Sequence, residues 1–208
     1  MIPGAVASLR LEKRLVRGGA GTIAGTDEAG RGSLFGPVVA AAVVLPAAWL
    51  FGRPPAWASE IDDSKRVPPA RRARLAAALL REASGVGLGL ASATEIDELN
   101  IYRAAHLAMV RAVENLPDPP DILLVDGFPI KEVHYRQMGV PRGDRISRSI
   151  AAASIVAKVF RDGLMRTFDA LYEGYGLARN KGYGTEEHLR ALRERGPTGL
   201  HRTSFKLG

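Results

Sequence analysis

The chain has 208 residues, 46% of them apolar and 25% charged, a composition that excludes bulk disorder and, at about 200 residues, suits one large domain with at most a small appendage. It contains no cysteine, which excludes a disulfide framework, a thiol nucleophile and any thiolate metal site, and fits a reducing cytoplasm. The formal charge is +7 and all of it lies in the last 78 residues, since residues 1–130 carry 14 basic and 14 acidic side chains and residues 131–208 carry 15 and 8.

In chain order, residues 1–20 read as a frayed N-terminal arm with room for a short helix or strand. A strand runs from Thr22 to about Asp27, followed by a glycine-rich turn at Gly30 and Gly32. The 21 residues from Gly32 to Gly52 lack charge, but Pro37, Pro46 and three glycines break them, so a buried strand over 38–45 is predicted rather than a membrane span. No signal peptide is indicated. Pro68 and Pro69 open a helix to about Glu82, and Gly85–Ala91 is a short strand. Thr94 is expected to cap one long helix through Asn115, with Asp97 near a capping-box position. Residues 122–125 have the look of a central parallel strand that stops at Asp126, and 133–140 of an edge segment. A long helix, small-sided at first, covers 149–168, and Thr185 caps a last helix to about Arg195. Strands first, then alternating helix and strand, imply an α/β fold with a mixed central sheet. The predicted organisation is an arm (1–20), a catalytic core (21–172) and a small helical C-terminal part (173–208).

The chemistry concentrates in GlyThrAspGluAlaGlyArgGly, residues 25–32. Asp27 and Glu28 sit where a buried strand meets a turn, so one carboxylate can face each side of the pleat. Asp126 ends an independent apolar strand in the same way, and ligands in open α/β sheets collect beyond the carboxyl ends of strands. Asp144 precedes the long helix. Acids converging on one rim repel one another unless a cation lies between them. Oxygen-only donors, with His106, His134, His188 and His201 showing no helical ligand spacing, favour Mg²⁺ or Mn²⁺ over zinc. Two such ions suit phosphodiester hydrolysis. Arginines outnumber lysines 23 to 6 and match phosphate oxygens, so nucleic acid is the expected substrate.

These segments, with AspSerLys (63–65), LeuValAspGly (124–127), GlyAsp (143–144), SerIleAlaAlaAlaSerIleValAlaLys (149–158), LysGlyTyrGlyThr (181–185) and HisArgThrSerPhe (201–205), resemble in order and spacing the type 2 ribonucleases H, and specifically bacterial ribonuclease HII. The resemblance implies a ribonuclease H-like fold and endonucleolytic cutting of RNA in RNA/DNA hybrids. It also implies incision 5′ of single ribonucleotides in duplex DNA, leaving 3′-hydroxyl and 5′-phosphate ends. By the same matching, Asp27, Glu28, Asp126 and Asp144 would hold two Mn²⁺ or Mg²⁺ ions, with Asp27 shared. Gly30, Arg31 and Gly32 would contact the ribose 2′-hydroxyl, Tyr183 would pack on the sugar beside the RNA-to-DNA junction, and Lys65 would hold a phosphate, with Lys181 and Arg179 as weaker candidates. Asp162 reads as a helix ion pair with Lys158, Asp62, Asp63 and Asp97 as loop or cap residues, and His106 as ordinary packing. Phe35, Phe128 and Pro129 depart from the family pattern and are expected at the site rim. The protein is expected to be a cytoplasmic monomer. A non-catalytic hybrid-binding protein and a metal-dependent DNA nuclease on the same fold are the competing readings.

Overall fold

The computed structural model describes residues 6–131 and 133–206. In chain order the elements are α1 (Arg10–Arg17), β1 (Ile23–Ala29), β2 (Val38–Val44), α2 (Ala47–Phe51), α3 (Pro69–Glu82), β3 (Gly85–Ala91), α4 (Ala93–Leu99) and α5 (Ile101–Glu114). They continue with β4 (Ile122–Asp126), β5 (Gln137–Val140), α6 (Arg148–Leu171), α7 (Leu177–Asn180) and α8 (Glu186–Arg195). The five strands form one mixed sheet in the order β3-β2-β1-β4-β5. The first three are antiparallel meanders, and β4 and β5 add in parallel beside β1.

Alternation along β2 builds two core layers. Ala41 and Val43 face α6, whose Ala151, Ala152 and Ala153 are fully buried, with α3 packed behind. Ala40 and Ala42 face α5 on the other side. Side chains this small let helix and sheet backbones approach closely. The glycines of β3 carry that to its limit, because a Cβ on Gly87 or Gly89 would lie 2.0 or 2.2 Å from the α5 carbonyls of Ala112 and Ala108. Strand β3 is a sheet edge. Its outward carbonyls at Leu88 and Leu90 are occupied by Asn115 Nδ2 and Arg111 Nη1, both at 2.8 Å, which blunts the edge against further strand pairing.

Three expectations are corrected. The arm is docked rather than frayed: α1 is held by Glu12, buried, accepting from Ser147 Oγ (2.7 Å) and Ser149 N (2.9 Å) at the start of α6. Residues 1–5 of it lie outside the described residues. The helix expected over 94–115 is two. Ser92, not Thr94, caps α4, with Glu95 completing a capping box, while Asn100 at φ 71° breaks the helix and accepts from Tyr102 N and Arg103 N to start α5. The edge strand is confined to Gln137–Val140, because the Gln137 amide bonds Ile130 and Val133 and holds 130–137 as a closed loop. The C-terminal helices α7 and α8 pack with the end of α6 around Phe35, Met165, Tyr175 and Leu192. Among the described residues, no helix is long and apolar enough to cross a membrane.

Candidate active site

A cleft of about 600 Å³ opens where β1 and β4 end, and Asp27, Glu28, Asp126 and Asp144 all line it. Asp27 lies inside β1 rather than at its end, opposite Ala41, and the strand continues to Ala29. Adjacent strand residues face opposite sides, so Asp27 lies on the α6 side and Glu28, opposite Ala40, on the α5 side. Asp126 is the last residue of β4 and its Oδ1 accepts from Gly143 N at 2.6 Å. That bond fastens the 3₁₀ turn Gly143–Arg145, which carries Asp144.

The acids disturb one another. Burial, then the charges of Glu28 and Asp126, raise the Asp27 carboxyl well above the usual carboxylate range. Asp144 is pushed up to about 6 by burial, then by Asp63 and Asp126. Among the described residues, no three of these groups converge on one point as a closed metal cage; the site is a cleft walled by acids. An oxygen-only donor set whose members destabilise one another's ionised forms fits hard divalent cations, whose charge would reverse that penalty.

The rest of the cleft is assembled over long sequence distances. Asp63 is no plain loop residue: it is buried, accepts from Lys65 N (2.9 Å) and takes two bonds from Arg145 (2.9 and 3.1 Å). It thereby orders both the lysine loop and the turn bearing Asp144. Ser154 on α6 donates to Ser64 (2.9 Å), and Lys158, one helical turn on, also reaches the cleft. Lys158 pairs with Asp162 as expected (2.7 Å), and Arg72 adds a second partner. The site role of Lys158 was missed. The i, i+4 spacing from Ser154 could have revealed it.

Gly30 and Gly32 differ. Gly30 has φ 96°, and a Cβ there would sit 1.9 Å from Arg161 Nε, whereas a Cβ on Gly32 would meet nothing within 4 Å. Gly30 is therefore required by the fold, and Gly32 bares its backbone to the cleft. Two buried arginines hold this loop. Arg161 donates to Pro37 O, Phe35 O, Ser33 Oγ and Lys181 O. Arg202 donates to Gly36 O and Arg31 O, and burial, then the nearby Arg161, lowers its pKa to about 9. Neither role was legible in sequence, where both read as phosphate-facing charge.

Tyr183 lines the cleft with Lys158 Nζ 5.7 Å from its ring centroid. Its backbone is held by a chain of imidazoles. Thr198 N donates to His201 Nδ1 (2.9 Å), the His201 and His188 Nε2 atoms share a bond (3.1 Å), and His188 Nδ1 meets Tyr183 O (3.0 Å). Donor geometry fixes both rings as neutral, each passing one N–H onward. Other expectations fail on position. The Lys181 ammonium donates to Ala178 O and Arg179 pairs with Glu187, so neither reaches the cleft. Phe35 is no rim residue, being fully buried edge-on to His201 (4.9 Å), Tyr172 and Phe168. Phe128 and Pro129 are exposed beside Asp126. Asp97 is not a cap: it accepts from Thr203 and Ser204 and ties the tail to α4.

A family model described as Ribonuclease HII matches residues 24–208. The chain belongs to the ribonuclease HII family. It is 52% identical over 195 residues to the ribonuclease HII of Moorella thermoacetica, covering 94% of this chain and 91% of that one. It is 50% identical to the ribonuclease HII of Geobacter sulfurreducens, covering 94% and 87%. Family membership places it among the endonucleolytic hydrolases of the ribonuclease H class. The fold is that of the ribonuclease H2 of Pyrococcus horikoshii, with a TM-score of 0.73 at 24% identity over 90% of this chain and 95% of that chain. The Mn²⁺ complex of Bst-RNase HIII shares it at a TM-score of 0.65 and 20% identity, over 89% and 67%.

Proposed function

We infer that this chain hydrolyses the RNA strand of RNA/DNA hybrids and nicks duplex DNA on the 5′ side of an embedded ribonucleotide. Asp27, Glu28, Asp126 and Asp144 would be the ligands of two Mg²⁺ or Mn²⁺ ions. The observation that carries this reading is the convergence, in one cleft, of four acids from two strands and a turn with Lys65, the bare Gly32 backbone and Tyr183. What such ions supply when bound is Lewis acidity toward water and the scissile phosphate.

The protein's own groups do the rest. Lys65 and Lys158 balance phosphate charge at the cleft mouth. The Gly30–Gly32 backbone, held by Arg161 and Arg202, lies where polar N–H and C=O groups can meet a 2′-hydroxyl, the group that marks RNA. Tyr183 offers a flat face to the neighbouring sugar, and the histidine chain behind it fixes where that face stands. All of these groups come from one chain, which supports action as a monomer. Asp27→Asn and Asp126→Asn should each abolish the Mg²⁺- or Mn²⁺-dependent nick in a duplex containing one ribonucleotide, a loss of at least about 10³-fold. Undiminished cleavage by either variant would overturn its assignment as a metal ligand.

A further inference from the structure

On the α5 side of the sheet, a second cavity of about 280 Å³ shares Glu28 and Asp126 with the cleft. Two of its walls are aromatic rings left in water: Phe128 is 78% exposed and Tyr102 67% exposed. Neighbouring exposed aromatics at a cleft mark a binding surface rather than core packing. Local backbone features put each one there. Gly127, at φ 82°, turns the chain out of β4 and delivers Phe128. The break at Asn100 places Tyr102 in the first turn of α5. Arg31 closes the side toward the cleft, its guanidinium 4.8 Å from the Tyr102 ring centroid and its Nη1 3.2 Å from Glu28 Oε1.

We propose that this cavity receives one nucleobase of the bound strand, stacked on Tyr102 and Phe128 beside the Arg31 guanidinium. Flat aromatic walls with an adjoining arginine are how single bases are held without sequence preference. The two carboxylates in the wall repel a phosphate, so the part of a nucleotide suited to enter is its uncharged base. Because Glu28 and Asp126 are common to both cavities, a strand whose phosphate lies over the acids brings an adjacent base to this opening, across the sheet from Tyr183. The proposal rests on the nucleic-acid substrate inferred above and adds a contact that would govern grip rather than chemistry.

The test uses the full chain and duplexes with one ribonucleotide, carrying 2-aminopurine in turn at each position near it, with chelator present to prevent cutting. The expected result is quenching at one or two adjacent positions that is lost in the Tyr102→Ala, Phe128→Ala double variant and kept in Phe128→Trp. With Mn²⁺ restored, KM should rise about tenfold in the double variant while kcat changes much less, the scale of losing one base stack. Both rings are exposed, so melting temperature should hold; if the double variant does not fold, Phe128→Ala alone carries the test. Identical quenching and KM in wild type and variant, alongside normal cleavage, would overturn the base pocket and leave the nuclease reading standing. A wild-type chain that cuts none of these duplexes would overturn both.

Discussion

At the residue scale, the two glycines flanking Arg31 separate fold from function. Gly30→Ala must accept φ 96° and a Cβ against the Arg161 guanidinium, and should cost about 3 kcal/mol or more in denaturant unfolding. Gly32→Ala has open space and should leave stability within about 0.5 kcal/mol, yet reduce cleavage at a ribonucleotide; unaffected cleavage would mean that no ligand approaches this backbone. Asp144 offers a second test. Its folded pKa of about 6 lies above its ordinary 3.8, so between those values the folded state keeps a proton that the unfolded state has lost. The carboxyl therefore costs stability, fully so above pH 6. Asp144→Asn should stabilise the metal-free protein at pH 7.5 by about 1 kcal/mol, discounted for its partial exposure, with the gain vanishing near pH 4, while cleavage is lost. Acids that terminate apolar runs are legible from sequence, as Asp126 shows. Asp63, Arg161 and Phe35 are not, because each gets its role from partners up to 82, 128 and 166 residues away.

At the element scale, the C-terminal part depends on two uncharged histidines. Burial, and then His188, lowers the His201 pKa to about 4, and burial lowers that of His188. Below pH 6.5 the unfolded chain takes up protons that the folded imidazoles refuse, so this contribution to stability falls as pH drops from about 6.5 toward 4. Amide exchange over Tyr183–Arg202 should therefore speed up, relative to the β1 and β2 amides, as pH falls from 6.5 to 4.5; equal retention of protection would contradict the histidine chain. Periodicity and caps located most elements well, α8 with its Thr185 cap among them. The split between α4 and α5 escaped because 94–115 reads as one apolar-periodic stretch. The break comes from Asn100, whose side chain can bond the next turn's N–H groups in a left-handed backbone conformation. The short helices α2 and α7 had no periodicity long enough to read.

At the scale of the whole molecule, the +7 confined to the last 78 residues is only partly a surface for phosphates. Arg161 and Arg202 spend their charge inside, on carbonyl groups that tie the glycine loop to the C-terminal part, and Arg145 and Arg179 are paired with acids. Charge counting could place a polyanion partner in view but could not tell surface arginines from structural ones, since burial is decided by tertiary packing. The acids are the reverse case: their sequence positions at strand ends anticipated a common cleft, and the sheet order with β4 beside β1 brings it about. The central claim is that this cleft cuts at ribonucleotides and nowhere else. Cleavage mapping on matched duplexes with zero, one and four ribonucleotides, in Mg²⁺ or Mn²⁺, tests it most directly. The account predicts an intact all-DNA duplex, a single nick 5′ of the lone ribonucleotide, cuts within the run of four, and none with chelator. Equal cutting of the all-DNA duplex, or binding to all three with no cutting in either metal, would contradict it.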